Sequence, residues 1–140
     1  MFALSPVAKG TLIWSFKDAP LRVLGESEAR QEFEAAEKDD VKSKQIFALL
    51  NLWYWSEDDD GNPVLVDNTK DDGRFFNHSA EPCVALGSVL GHTKASRRDT
   101  FALRDIKAGE ELLDDYNTFG DDPPWYVALL ERHNVDVSYM

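Results

Sequence analysis

Two stretches of this chain carry side chains able to do chemistry. The first runs Gly73-Arg74-Phe75-Phe76-Asn77-His78-Ser79-Ala80-Glu81-Pro82-Cys83, in which two aromatics lead into an amide, an imidazole and a hydroxyl. Three polar side chains in a row need hydrogen-bond partners wherever a fold buries them. The second runs Ala108-Gly109-Glu110-Glu111-Leu112-Leu113-Asp114-Asp115-Tyr116: Gly109 turns the chain, two acids follow, and an apolar pair leads to a tyrosine flanked by Asp115 and Asn117. An aromatic Asn-His segment and a lone terminal tyrosine suggest a built pocket. Residue by residue, plainer readings stand beside this one. Tyr116 reads equally as a strand-end tyrosine with its ring in the core, Asn77-His78 as a buried turn and Arg74 as half of a surface ion pair. A zinc site would need His78, Cys83 and His92, whose spacing follows no common zinc pattern. The adjacency of His78 and Ser79 says nothing about a hydrolytic triad, which is defined by geometry across a fold. Asp58-Asp59-Asp60-Gly61-Asn62 lacks the alternation and final glutamate of a calcium loop and reads as a solvated turn.

Arg74-Phe75-Phe76-Asn77-His78-Ser79 with Pro82 resembles the Arg-Phe-x-Asn-His-Ser-x-x-Pro signature of SET-domain protein lysine methyltransferases. Gly109 to Tyr116 resembles that family's Gly-Glu-Glu-Leu-x-x-Asp-Tyr signature, in the same order and at fitting spacing. Phe2-Ala3, Lys9-Gly10-Thr11-Leu12-Ile13-Trp14 and Phe101 to Ala108 are similar to other parts of the domain, so the likeness covers most of the chain. Two long motifs in order are far more specific than one short pattern. The resemblance implies methyl transfer from S-adenosylmethionine to a peptidyl lysine, with Tyr116 as the catalytic phenol. It implies that Asn77 and His78 clasp the cofactor, with Arg74 supporting it or its loop. Trp125, after a proline pair, either caps the adenine or packs in the core. Tyr54 is a candidate for lining the lysine channel. Asp114 stands where the family often has Phe or Tyr, and its carboxylate either points to water or sits beside the lysine amine. Cys83 replaces a customary asparagine, which removes an amide near the crossing of the two segments. The family's Gly-x-Gly segment would precede Phe2, whereas this chain starts at Met1. The alternative function is a catalytically weak SET-like module that binds protein.

These residues need elements to position them. Thr11 to Phe16 is β-branched, aliphatic and aromatic between Lys9-Gly10 and Asp18, which predicts a strand. Ser27 to Leu50 lacks glycine and proline, is rich in Glu, Ala, Lys and Gln, and sets Ile46, Phe47, Leu49 and Leu50 on an apolar side. It predicts helix over about 27–50, in two pieces broken near Asp39-Asp40. Leu52 to Trp55 and Val64 to Val66, separated by an acidic turn, suggest a hairpin. Trp53 and Trp55 then share a face opposite to Tyr54. Val84 to Val89 and Thr100 to Leu103 read as further strands. Asp122 is positioned to cap a helix over about 122–134 that starts at Pro123-Pro124, with Trp125, Leu129 and Leu130 available to pack. The expected fold is α+β and mostly β, a single domain over 1–140. It corresponds to the SET fold of several small sheets around a knot-like crossing, with inserted and C-terminal helices.

At 140 residues, 43% of them hydrophobic, the chain is long enough for one real core. No apolar run approaches the roughly 20 residues a membrane helix needs, and no secretory leader is visible, so an intracellular home is expected, the nucleus in a eukaryote. The single Cys83 excludes an internal disulfide. With 26 acidic against 15 basic residues, the net charge of −11 disfavours direct nucleic-acid binding and favours a basic protein or peptide partner, a histone tail being the natural one. The same charge also serves plain solubility. Lys94, Arg97 and Arg98 form a basic island that reads as a solvated loop. The resemblance also allows a homodimer, since small SET domains without flanking modules can complete their substrate site by pairing.

Overall fold

The computed structural model describes residues 1–48 and 50–135. In chain order its elements are β1 (Leu12–Trp14), β2 (Arg22–Gly25), α1 (Glu26–Glu37), α2 (Asp40–Phe47), β3 (Trp53–Glu57) and β4 (Pro63–Asp67). They continue with β5 (Asn77–His78), β6 (Val84–Leu86), β7 (Thr100–Ala102), β8 (Leu113–Asp114) and α3 (Pro124–Arg132). This is the expected α+β architecture of small sheets with inserted and C-terminal helices. The described residues gather into two compact units, one of Met1–Pro20 with Asp71–Phe119, the other of Leu21–Lys70 with Gly120 onward.

In the first unit an antiparallel sheet runs β1-β7-β6, with Leu12 opposite Phe101 and Val84 opposite Ala102. The first residues run antiparallel to the second signature segment: Ala3 N donates to Glu110 O at 2.9 Å and Leu112 N to Met1 O at 2.8 Å. Gly109 has φ of +85°, a left-handed conformation that permits the turn into this pairing. Ala3, Phe76, Cys83, Val84, Ala102, Ile106 and Leu112 form the core. The strands are shorter than the apolar runs suggested. β6 stops at Leu86, not Val89, because Val89 N folds back onto Leu86 O and Leu90 N onto Gly87 O. β1 ends at Trp14, and Phe16–Asp18 turns as a 3₁₀ helix whose first amide is taken by Asp99 Oδ1 at 2.9 Å.

In the second unit β2 and β3 flank β4, both antiparallel, and the expected hairpin joins β3 to β4. Asp58 ties the hairpin loop, its Oδ1 accepting the amides of Asp60 and Asn62. Ala29, Phe33 and Ala36 recur at helical spacing and form the buried stripe of α1. The break before α2 has a local cause: Asp39 leaves helical geometry and its carboxylate caps Val41 N and Lys42 N. Leu49, expected on the apolar side of this insert, lies outside the described residues. Phe33 is the centre of the unit's core, its ring 5.7 Å from Trp53 and 5.8 Å from Tyr126. Because it is 1% exposed, Phe33→Ala should cost about 3–5 kcal/mol, read as a lowered denaturant midpoint at unchanged slope.

The C-terminal helix corrects one expectation. Asp122 does not cap it; Pro123 occupies the cap position, with ψ of 143°, and α3 begins at Pro124. A residue before proline is pushed out of helical geometry, so Pro123 cannot be the first helical residue and Asp122 falls one position too early. At the other end Asn134 adopts φ of +53°, while Val135 N reaches Leu130 O and Asn134 N reaches Glu131 O. This is the left-handed closure by which helices satisfy their last carbonyls.

Candidate active site

The two signature segments meet in the first unit. β5 and β8 pair in parallel, Asn77 opposite Leu113 and His78 opposite Asp114. The pairing continues through Ser79 N to Asp114 O at 2.9 Å and Cys83 N to Leu113 O at 3.0 Å. Arg74, Asn77, His78, Asp114 and Tyr116 all belong to this unit.

Tyr116 is anchored at both ends. Its backbone amide donates to His78 Nδ1 at 3.1 Å, and its hydroxyl donates to Phe76 O at 2.5 Å. The ring stacks on Phe119 and lies 5.2 Å from the His78 ring. Asp115 caps the turn that carries the tyrosine by accepting Asn117 N, and its carboxylate lies 3.7 Å from His78 Nδ1. A phenol fixed in this way keeps its oxygen at a defined place, and that oxygen carries lone pairs able to accept a hydrogen bond or face positive charge.

Asn77 also lines an open hollow of about 400 Å³, together with Met1, Asp72, Arg74 and Phe75. Arg74 donates to Asp71 O at 2.7 Å, and its guanidinium sits 4.2 Å over the Phe75 ring. The wall that carries Arg74 depends on Asp71, which sequence reasoning missed. Buried, this carboxylate accepts Trp14 Nε1 at 2.8 Å and Gly73 N at 2.6 Å. A Cβ on Gly73 would stand 2.5 Å from Asp71 Oδ2, so any other residue there would have to push the carboxylate away from its two donors. The Asp-x-Gly spacing was the available signal, since aspartate often binds the amide two residues on. The Asn77 amide nitrogen donates to Glu111 Oε1 at 2.6 Å, tying one signature to the other. A cation, an aromatic ring, an acid and an amide around one hollow could receive a ligand that carries both a carboxylate and an ammonium group.

Asp114 does not point to water: it is 2% exposed. Burial pushes its carboxyl up to about 7, the charge of Asp115 adds to the rise, and the bond from Asp115 N opposes it. Cys83 links the two signature segments through its side chain. Its buried sulfur accepts Leu113 N–H and donates to Glu111 O, both at 3.4 Å.

Tyr54 and Trp125 belong to the second unit. Trp125 donates through Nε1 to Glu26 at 2.8 Å, lies 5.9 Å from the Trp55 ring and carries the Arg30 guanidinium 4.8 Å over its face. Half-buried, it packs against the core of this unit. Tyr54, on β3, pairs with Val66 of β4 and is half-buried, whereas Trp53 and Trp55 on the opposite face are buried. Among the described residues no three His, Cys, Asp or Glu side chains converge on a metal position; His92 lies against Phe101 instead.

In the Aspergillus oryzae protein described as "Histone-lysine N-methyltransferase, H3 lysine-36 specific", 64 residues are 47% identical to this chain. The match takes in 42% of the chain and 6% of that protein, so the chain spans a small part of its relative's length. The sequence model of the SET domain matches residues 1–117, from the first residue past Tyr116 and through both signature segments. With that match over most of its length and a parallel pairing of those segments, the chain belongs to the SET domain family.

Proposed function

We propose that this chain is an S-adenosylmethionine-dependent protein-lysine methyltransferase that acts on a basic protein, with a histone tail as the substrate. The observation that carries this reading is the anchoring of Tyr116, whose hydroxyl is pinned to Phe76 O and whose amide is pinned to His78, the two residues on either side of Asn77, which itself lines the hollow. Arg74 and Asn77 are the side chains that would hold the cofactor's amino-acid end, and His78 with its backbone the adenine side. Bound there, S-adenosylmethionine supplies a methyl group on a sulfonium, an electrophile that a neutral amine takes up as the carbon–sulfur bond breaks. Tyr116 orients the incoming amine through its hydroxyl and favours the neutral amine by its dipole, without itself acting as base. Fixed geometry of this kind supplies much of the rate of a displacement. The net charge of −11 draws lysine-rich and arginine-rich segments toward the protein. In a eukaryote a histone substrate would place the protein in the nucleus.

A second reading, a SET-like protein-binding module with little catalysis, is favoured by one feature, the buried carboxyl of Asp114 two residues before the tyrosine. Ionised beside a lysine amine, it would hold the amine's proton and slow transfer. Calorimetry with S-adenosylmethionine, followed by transfer of a radiolabelled methyl group to mixed core histones, separates the two. Binding with label in histone is the expected result. A folded protein that binds no S-adenosylmethionine would sink the enzyme reading.

A further inference from the structure

The side-chain amide of Asn77 has two ends, an NH₂ that only donates and an oxygen that only accepts. Glu111 decides which end looks where. The Asn77 nitrogen lies 2.6 Å from Glu111 Oε1, and a carboxylate can only accept, so the nitrogen must be the end that faces it. Glu111 is in turn held through its backbone: residue 111 bridges to Phe2, and its carbonyl accepts the Cys83 thiol at 3.4 Å. Its side chain therefore projects from a braced position, and Asn77 lines the hollow with Asp72, Arg74 and Phe75.

We infer that Glu111 is a positioning residue: by holding the NH₂ of Asn77 it turns the Asn77 oxygen toward the hollow, so that this wall accepts a hydrogen bond and selects an ammonium group. The inference rests on the cofactor reading above and assigns the part of the ligand that Glu111 governs. The rest of the lining agrees, with the Arg74 guanidinium suited to a carboxylate and Asp72 adding negative charge. Glutamine at position 111 would remove the direction. Its amide can accept from the Asn77 nitrogen or donate to the Asn77 oxygen, so both orientations become available.

The test uses two ligands that share a nucleoside and differ in the amino-acid chain, S-adenosylhomocysteine and methylthioadenosine. Each is titrated calorimetrically into the wild-type protein, Glu111→Gln, Asn77→Ala and the double variant. Glu111→Gln should weaken S-adenosylhomocysteine about tenfold and methylthioadenosine less than about twofold, as expected for loss of a charge-assisted hydrogen bond that acts on one end of the ligand. The double variant should bind no worse than Asn77→Ala, because Glu111 acts only through Asn77. Equal losses for both ligands, additive losses in the double variant, or no loss at all would overturn the inference while leaving the cofactor reading intact. A wild-type protein that binds neither ligand would overturn both. If Glu111→Gln melts early, Glu111→Asp, which withdraws the carboxylate by one methylene, should show the same ligand-selective loss, and its absence counts against the inference.

Discussion

Replacing Tyr116 with phenylalanine should lower single-turnover methyl transfer to core histones about a hundredfold or more, the range seen when one aligned hydrogen-bonding group is removed from a reacting centre. The loss should fall on the rate and not on cofactor affinity. Asn77, His78 and Arg74 are untouched by the change, and the backbone bond from residue 116 to His78 Nδ1 remains. Stability should drop only by about 1 kcal/mol, because the substitution leaves Phe76 O without its hydroxyl donor but keeps the ring packed on Phe119. A few degrees in melting temperature is the corresponding shift for a chain of this size. The assignment of the phenol fails if the variant turns over at the wild-type rate with normal S-adenosylmethionine binding.

Replacing Asp114 with asparagine should stabilise the protein, and the gain should depend on pH. The carboxyl sits at about 7 in the fold against 3.8 for the ordinary group, with burial as the leading cause. Between these values the folded state holds a proton that the unfolded chain has released. Stability therefore falls as pH rises from about 4 to about 7, and the penalty is complete above that range. A displacement of this size corresponds to something on the order of 4 kcal/mol. Asparagine keeps an oxygen to accept Asp115 N–H and has no charge to desolvate. Denaturant unfolding should show Asp114→Asn well above wild type at pH 8 and level with it near pH 4. An equal difference at both pH values would mean that the carboxyl stays ionised in the fold.

What was legible beforehand followed local codes. The lack of glycine and proline from Ser27 to Leu50 announces helix, and Asp39 announces its interruption because an aspartate side chain competes for backbone amides. The alternating aromatics of Trp53 to Trp55 and the turn at Asp58 to Asn62 announce a hairpin for the same local reason. The Asn-His and Gly-Glu-Glu-Leu segments were legible as family signatures because their residue types and order are specific.

What stayed hidden depended on partners far along the chain. Position 114 offers no sign of whether its carboxylate meets water, since that is decided by the packing around β8. Trp14 and Asp71 lie 57 residues apart, as Asn77 and Glu111 lie 34 apart, and only a folded chain pairs them. The thiol of Cys83 finds its two backbone partners on residues 111 and 113, which local sequence does not reveal. Even the start of α3 shifted because two prolines compete for one cap. Short-range steric and hydrogen-bonding preferences are written in neighbouring residues and set the elements. Burial, charge state and the direction of a side-chain amide are properties of the surroundings, and those come into existence only when distant segments pack.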